Sequence, residues 1–171
     1  ARASAAKPVQ PDLELASPDL QQCWGGPMNG QEGRRALLLD AIRLCEPSAI
    51  LETGTFRGIS TVWFAENFPG PVISCEKERL YHLQARQRAE GIANIELHLD
   101  DSRSFLQRVL SSLPRERPVF IYLDAHWELD LPIREELKLI FANTDSACVA
   151  IDDFRVPDDP GYGWDDYGEN G

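Results

Sequence analysis

Short apolar runs alternate with longer amphipathic segments through most of this 171-residue chain, and this alternation constrains the fold more than any other feature. The apolar runs are rich in the branched residues that buried strands favour. They predict strands over residues 49–52, 71–75, 95–99, 119–123 and 147–151. Because the runs are apolar on both faces, they indicate a parallel sheet that is covered on both sides.

The amphipathic segments predict a helix before the first strand and one between each pair of strands. The first helix, 33–45, places Leu37, Leu38, Ala41, Ile42 and Cys45 at helical spacing, with Arg34, Arg35, Asp40 and Arg43 largely on other faces. The others are expected over residues 60–67, 79–90, 102–113 and 133–142. Right-handed crossovers would then build an open, doubly wound α/β sheet with helices on both faces.

The composition narrows the classes of partner. The chain has 28 acidic and 17 basic residues and a formal charge of -11, which argues against nucleic acid and anionic membranes as partners. It shows no apolar run long enough to span a bilayer and no secretory signal. Its cysteines, Cys23, Cys45, Cys75 and Cys148, form no C-x-x-C half-site for zinc. We therefore expect a soluble protein of the reducing cytoplasm.

The two ends of the chain differ from the middle in composition. Residues 1–24 are rich in Ala, Pro and Gln and predict an N-terminal arm, which leaves residues 25–171 as one domain. Residues 152–171 are acidic and include the aromatic Tyr162, Trp164 and Tyr167. This mixture favours a functional loop or lid, and the alternative is a disordered acidic tail.

Polar residues and glycines follow the first three predicted strands, at the edge where open α/β sheets bind ligands. Gly54 and Gly58 follow the first strand with the spacing Gly-x-x-x-Gly, which suits a tight turn. Glu76 follows the second strand, where a carboxylate can accept from both hydroxyls of a ribose. After the third strand, Asp101 could accept from an adenine amino group while Ser102 caps the next helix. Together these strand ends predict an adenosine pocket.

This pattern resembles the class I S-adenosylmethionine (SAM)-dependent methyltransferases. The resemblance rests on Glu52-x-Gly54-x-x-x-Gly58, on Glu76, on Asp101-Ser102 and on Asp124 after the fourth strand, and it covers residues 33–153. It implies a Rossmann-like fold, whose usual two last strands the sequence does not show. It also implies the cofactor contacts: Glu52, Thr53 and Gly54 at the methionine part, Glu76 at the ribose, Asp101 and Ser102 at the adenine, with Thr55, Gly58, Ser60 and Asp124 completing the set.

Three carboxylates follow two neighbouring strands, Asp124 after the fourth and Asp152 and Asp153 after the fifth. Clustered carboxylates repel one another unless a cation compensates, and oxygen ligands suit Mg²⁺. The pattern is similar to that of cation-dependent O-methyltransferases, both the catechol type and the macrolide and aminocoumarin sugar type. That resemblance implies that the three residues bind a divalent cation, which would activate a substrate hydroxyl. In the alternative interpretation, Asp153 caps the next segment and one carboxylate faces inward.

A catalytic base is expected near Asp124. His126 is the candidate, because imidazole titrates near neutral pH, although a histidine beside Trp127 can equally be structural. Trp127 itself is either a wall of the acceptor site or part of the core. Catechol-type enzymes place a lysine close by, whereas this chain has Glu128 and Leu129, which favours a sugar or another small hydroxylated acceptor.

Two other function classes share parts of this pattern. A nicotinamide-dependent oxidoreductase has the same sheet and an acidic residue after the second strand, but Thr55 and Phe56 stand where its glycine-rich turn is expected. A non-catalytic nucleoside-binding module would keep the pocket without the reaction. The sequence leaves open which molecule accepts the methyl group and whether the protein forms homo-oligomers.

Overall fold

The computed structural model describes residues 26–126 and 130–152. Its strands are β1 (Ala49–Thr53), β2 (Val72–Glu76), β3 (Ile95–Leu99), β4 (Val119–Leu123) and β5 (Ala147–Ile151). They form one parallel sheet in the order β3-β2-β1-β4-β5. This is the open α/β sheet that the alternating pattern predicts.

Helices connect the strands. A 3₁₀ helix at Pro27–Gly30 leads into the first of them. The α-helices are α1 (Glu32–Cys45), α2 (Ile59–Asn67), α3 (Arg79–Arg88), α4 (Ser102–Ser112) and α5 (Ile133–Asn143). The predicted boundaries agree with these closely, and the largest difference is at α3, which ends at Arg88 and not at residue 90.

The core lies on both faces of the sheet, because successive residues of a strand point to opposite sides. On one face Leu51 and Ile121 pack with Phe105 of α4. On the other face Ile50 and Phe120 pack with residues of α1 and α2. The three central strands are buried throughout, but β3 and β5 are half-exposed, so the expectation of strands covered on both faces is wrong for the two edges.

Helix α1 differs from its prediction in two residues. Leu38 and Ile42 are buried, but Leu37, which was expected in the core, is 64% exposed. Arg34 precedes Leu38 by four residues and therefore shares its buried face, which corrects the expectation that it lies elsewhere.

The strand order positions the candidate site. From β1 the chain moves outward through β2 and β3, then returns to place β4 and β5 on the other side of β1. The carboxyl ends of all the strands therefore meet at one edge, and the order reverses between β1 and β4.

Some predictions fall on residues 1–25, 127–129 and 153–171, which lie outside the described part of the chain. They concern the arm, the acidic loop, Asp153 and the aromatic residues Trp127, Tyr162, Trp164 and Tyr167. Among the helices that the structure describes, none has the length and apolar character to cross a bilayer.

Candidate functional site

The turn after β1 brings the backbones of two strands into contact. Gly54 has φ +81°, and a Cβ built on it would lie 2.1 Å from the carbonyl oxygen of Asp124. Its amide and that of Thr55 donate to the Cys75 carbonyl at 3.0 and 2.9 Å. Glycine is thus required both by the left-handed conformation and by the close approach of the residue that follows β4.

The rest of this turn leads sharply into α2. Phe56 has φ +48° and Gly58, at the start of the helix, has φ +76°. A Cβ on Gly58 would lie 3.1 Å from Ala85 of α3. The Phe56 ring packs against Tyr81 with 4.3 Å between centroids. Both glycines of the predicted motif are therefore required by their backbone conformation and by a close neighbour.

Glu52 is fully buried beneath the turn. Its carboxylate accepts from the Thr61 hydroxyl and, at 2.6 Å, from the Ser74 hydroxyl, which itself lies 2.5 Å from the Thr55 hydroxyl. Burial raises the pKa of Glu52, and these hydroxyls, with that of Ser60, offset part of the increase. These contacts, all made by Oε2, support the turn from below, and the predicted place of Glu52 at the methionine site stays a prediction.

Glu76 ends β2 beside this turn and is held by two backbone amides. The amide of Phe56 donates to its Oε2 at 2.7 Å and that of Glu78 donates to its Oε1 at 2.8 Å. Burial raises the pKa of Glu76, while these amides lower it in part. Each oxygen has a second lone pair, so the fixed carboxylate can also accept from two neighbouring hydroxyls, as the ribose prediction requires.

Asp101 begins α4 as its N-cap. Its Oδ1 accepts from the Arg103 amide at 3.0 Å, and its two oxygens accept from the Arg103 guanidinium at 2.9 and 2.7 Å. The expectation that Ser102 caps this helix is therefore wrong, because Ser102 is its first helical residue. The guanidinium lowers the pKa of Asp101, so an adenine amino group would meet an ionised acceptor.

The same guanidinium joins the adenine end to the segment between β4 and α5. Arg103 donates to both oxygens of Asp130, each at 3.0 Å. Lys77, the residue after Glu76, contacts Asp130 at 3.2 Å. Through Asp130, residues that follow β2, β3 and β4 are thus held together across the edge of the sheet.

A buried carboxylate lies between the cofactor residues and His126. Glu136 of α5 is 1% exposed, and burial raises its pKa. The hydroxyls of Ser102 and Thr53 and the charge of His126 lower that pKa in part. Three predicted residues, Thr53, Ser102 and His126, therefore influence the protonation of a carboxyl that the prediction did not include.

The proposed metal ligands are only partly brought together. Asp124 and Asp152 follow the neighbouring strands β4 and β5, and Asp153 is outside the described residues. Arg34 donates to Asp152, and both side chains are 9% exposed. Within residues 26–126 and 130–152 no cluster of three His, Cys, Asp or Glu side chains is placed to bind a metal ion. In the described part of the chain Asp152 is paired with a guanidinium, and the cation site of three carboxylates stays a prediction.

Arg34, Arg103, Asp130 and Glu136 were missed from the sequence. Glu136 lies between Ile133 and Ile140 on the apolar stripe of its helix, so its spacing alone could have indicated a buried carboxylate. Arg34 has the same kind of signal, one turn before Leu38. No local pattern indicates the contact of Arg103 with Asp130, which depends on how two loops fold.

No protein-family model and no curated protein sequence matches the chain. Solved structures do. The O-methyltransferase TomG from Streptomyces achromogenes, involved in tomaymycin synthesis and solved in complex with SAM, is 26% identical with a TM-score of 0.60, over 84% of this chain and 62% of that chain. An O-methyltransferase from Bacillus cereus in complex with SAH (S-adenosylhomocysteine) is 20% identical with a TM-score of 0.55, over 67% of this chain and 52% of that chain.

The SAH-bound methyltransferase PaMTH1 from Podospora anserina gives 17% identity and a TM-score of 0.59, over 72% of this chain and 53% of that chain. These likenesses confirm the Rossmann-like α/β fold, and the structures that share it are methyltransferases, as the predicted resemblance requires. The chain spans less than two thirds of the length of each of these three proteins.

Proposed function

We propose that this protein binds SAM and transfers its methyl group to a hydroxyl of a small acceptor. The observation that carries the proposal is the carboxylate of Glu76, which two amides fix beside the Gly54 turn at 2.7 and 2.8 Å. Such a carboxylate suits the paired hydroxyls of a ribose. Structural similarity to SAM- and SAH-bound methyltransferases supports the choice of nucleoside.

Other residues would complete the adenosine site. Asp101, kept ionised by Arg103, would accept from the adenine amino group, and Ser102 would lie beside the ring. The turn at Gly54, whose glycine lets the backbone after β4 approach β1, would form one wall of the site for the methionine part. The protein would thus bind the nucleoside through strand ends and would leave the edge near β4 and β5 to the acceptor.

SAM would supply a methyl group bound to a sulfonium sulfur, and an acceptor oxygen could bond to that methyl carbon in line with the carbon–sulfur bond that breaks. The protein has to orient that oxygen and take its proton. We propose His126 as the base, because it follows β4 two residues after Asp124, at the edge that is left to the acceptor. The electron pair of the methyl–sulfur bond goes to sulfur and leaves a neutral thioether.

The acceptor and the cellular location are parts of the same proposal. We propose a sugar or another small hydroxylated molecule as the acceptor, because positions 128 and 129 are Glu and Leu and not the lysine of catechol-type enzymes. A reducing cytoplasm fits the free thiols of Cys45, Cys75 and Cys148. The divalent cation at Asp124, Asp152 and Asp153 stays a prediction from the sequence, since Asp153 is not described.

The nucleoside site is tested by titrating SAH into the wild-type protein, Glu76→Gln and the control Glu116→Gln, whose residue is exposed. Glutamine offers one oxygen where the carboxylate offers two, so one amide and one ribose hydroxyl lose their acceptor. Loss of a charged hydrogen bond costs about 1.5–3 kcal/mol, which predicts roughly 10- to 100-fold weaker binding. Thermal unfolding of each variant separates weaker binding from loss of the fold.

The reaction is tested by incubating the protein with SAM and a panel of hydroxylated acceptors and measuring SAH release. We expect release that depends on an acceptor and falls in His126→Gln, while SAH affinity is retained. SAH binding without turnover for any acceptor would favour the nucleoside-binding module. Binding of NAD in place of SAH would favour the oxidoreductase.

A further inference from the structure

Arg34 reaches the carboxyl edge of the sheet from a helix that precedes β1. It lies in the first turn of α1, one turn before Leu38, so the buried face of the helix directs it toward the sheet. Its guanidinium donates to Asp152, the residue that follows β5. The two side chains are each 9% exposed, which distinguishes this ion pair from the exposed pair of Arg43 and Asp40 on the same helix.

The Asp152 carboxylate has a second protein donor. Tyr122 of β4 is 2% exposed, and its hydroxyl is hydrogen-bonded to Asp152. The Asp152 amide also donates to the Leu123 carbonyl at 3.0 Å, which fixes the residue on its backbone side.

A carboxylate in this arrangement is a poor ligand for a divalent cation. A metal ion bound to Asp152 would lie next to the guanidinium of Arg34, which contacts the same carboxylate. The two positive charges would repel each other, and water screens this repulsion little because both side chains are buried. The guanidinium supplies at Asp152 the positive charge for which a cation was expected there.

We propose that Arg34 supplies the positive charge at this edge of the sheet, so that Asp152 binds no metal ion and methyl transfer needs no divalent cation. The claim that methyl transfer needs no divalent cation rests on the proposed function. The claim that Asp152 binds no metal ion is independent of it. In this account Arg34 is a positioning residue, which acts on the acceptor edge through Asp152. Deprotonation of the acceptor then depends on a protein base.

Binding of Mn²⁺, measured by its electron paramagnetic resonance signal, tests the proposal without any turnover. The samples are the full wild-type chain, Asp152→Asn, Arg34→Met, the double variant and the control Arg43→Met. Methionine keeps most of the length of the arginine side chain without its charge. We expect the wild-type protein, Asp152→Asn and Arg43→Met to bind Mn²⁺ alike, and Arg34→Met to gain one bound ion that the double variant loses again.

Two results would overturn the proposal. One is a Mn²⁺ ion in the wild-type protein that Asp152→Asn abolishes, and the other is a folded Arg34→Met that gains none. If Arg34→Met fails to fold, the comparison of the wild-type protein with Asp152→Asn still shows whether Asp152 binds Mn²⁺. SAH titration of the same samples is read separately, so a wild-type protein that binds no SAH contradicts the proposed function and leaves the Mn²⁺ comparison intact. A chelator should leave SAH release by the wild-type protein unchanged.

Discussion

The α-carbon of Gly54 lies so close to the backbone of Asp124 that a methyl group on it would stand 2.1 Å from the Asp124 carbonyl oxygen. The amide of Asp124 also donates to the Thr53 carbonyl at 3.0 Å, so the two chain segments are tied together at this point. This contact lies where the strand order reverses, between β1 and β4. It joins the residues that we assign to the cofactor with those that we assign to the acceptor.

Replacing Gly54 by alanine should therefore destabilise the fold and abolish SAH binding. The left-handed φ of +81° alone costs a residue with a Cβ about 1–2 kcal/mol, and the clash with backbone atoms adds to this. Differential scanning calorimetry gives the loss of stability, and SAH titration gives the loss of binding.

The matched control is Gly33→Ala. Gly33 lies in α1, and a Cβ there would have no atom within 4 Å. Alanine in a helix is favoured over glycine by about 0.5–1 kcal/mol, so this variant should be at least as stable as the wild-type protein and should bind SAH equally. If Gly54→Ala and Gly33→Ala had the same stability and the same SAH affinity, the contact of Gly54 with Asp124 would not be needed for the fold or for binding.

The buried Glu52 predicts a particular pH dependence of stability. Burial raises the pKa of its carboxyl in the folded protein, so the folded state binds the proton more tightly than the unfolded state. The stability that this contributes is fully present below the unfolded pKa, about 4.3, and is lost as pH rises through the folded pKa. Glu52→Gln cannot titrate, so its free energy of unfolding relative to the wild-type protein should increase from pH 4 upward.

Urea unfolding at several pH values measures this difference, with Glu66→Gln as the control. Glu66 is exposed on the neighbouring helix α2. Its variant should follow the pH dependence of the wild-type protein. A constant difference between Glu52→Gln and the wild-type protein across the range would show that Glu52 does not titrate as its burial implies.

Arg103 should contribute modestly to nucleoside binding through the two carboxylates that it joins. It binds Asp101 at 2.7 Å and Asp130 at 3.0 Å, so Arg103→Met removes the positive charge between two carboxylates. Exposed pairs contribute up to about 1 kcal/mol, which predicts roughly fivefold weaker SAH binding. The difference between variant and wild-type affinities should shrink as salt is raised, because salt screens this network.

Arg108→Met is the control for this prediction. Arg108 lies on the same helix and pairs with Asp100 at 2.7 Å, away from Asp130. We expect its SAH affinity to match that of the wild-type protein at every salt concentration. If both arginine variants lose affinity equally, a general loss of positive charge explains the effect and the bridge to Asp130 does not.

Much of the fold follows from local pattern. The alternation of apolar runs with helical spacing predicted every described strand and α-helix, because burial on both faces of a parallel sheet leaves little choice of residue, but it did not predict the 3₁₀ helix at Pro27–Gly30. It did not show that β3 and β5 are half-exposed edges, since strand order depends on contacts between distant segments. Leu37 is a similar case within a helix, because its spacing predicts the apolar face although the residue is exposed in the fold.

The sequence predicts those residues of the candidate site whose role follows from their position at a strand end. It does not predict which side chains pair with one another. Gly54 and Glu76 have the geometry that their positions indicate. Glu52 supports the turn, and Asp152 pairs with Arg34, a residue 118 positions away in the chain. Such pairings are set by tertiary structure, so spacing between neighbouring residues could not reveal them.

The most direct measurement of the central claim is isothermal titration of the wild-type protein with SAH and, separately, with NAD. The account predicts one SAH bound per chain and no heat from NAD, because Glu76, which we assign to a ribose, lies beside a turn that lacks the three glycines of dinucleotide-binding proteins. Binding of NAD, or the absence of SAH binding by a folded protein, would contradict it.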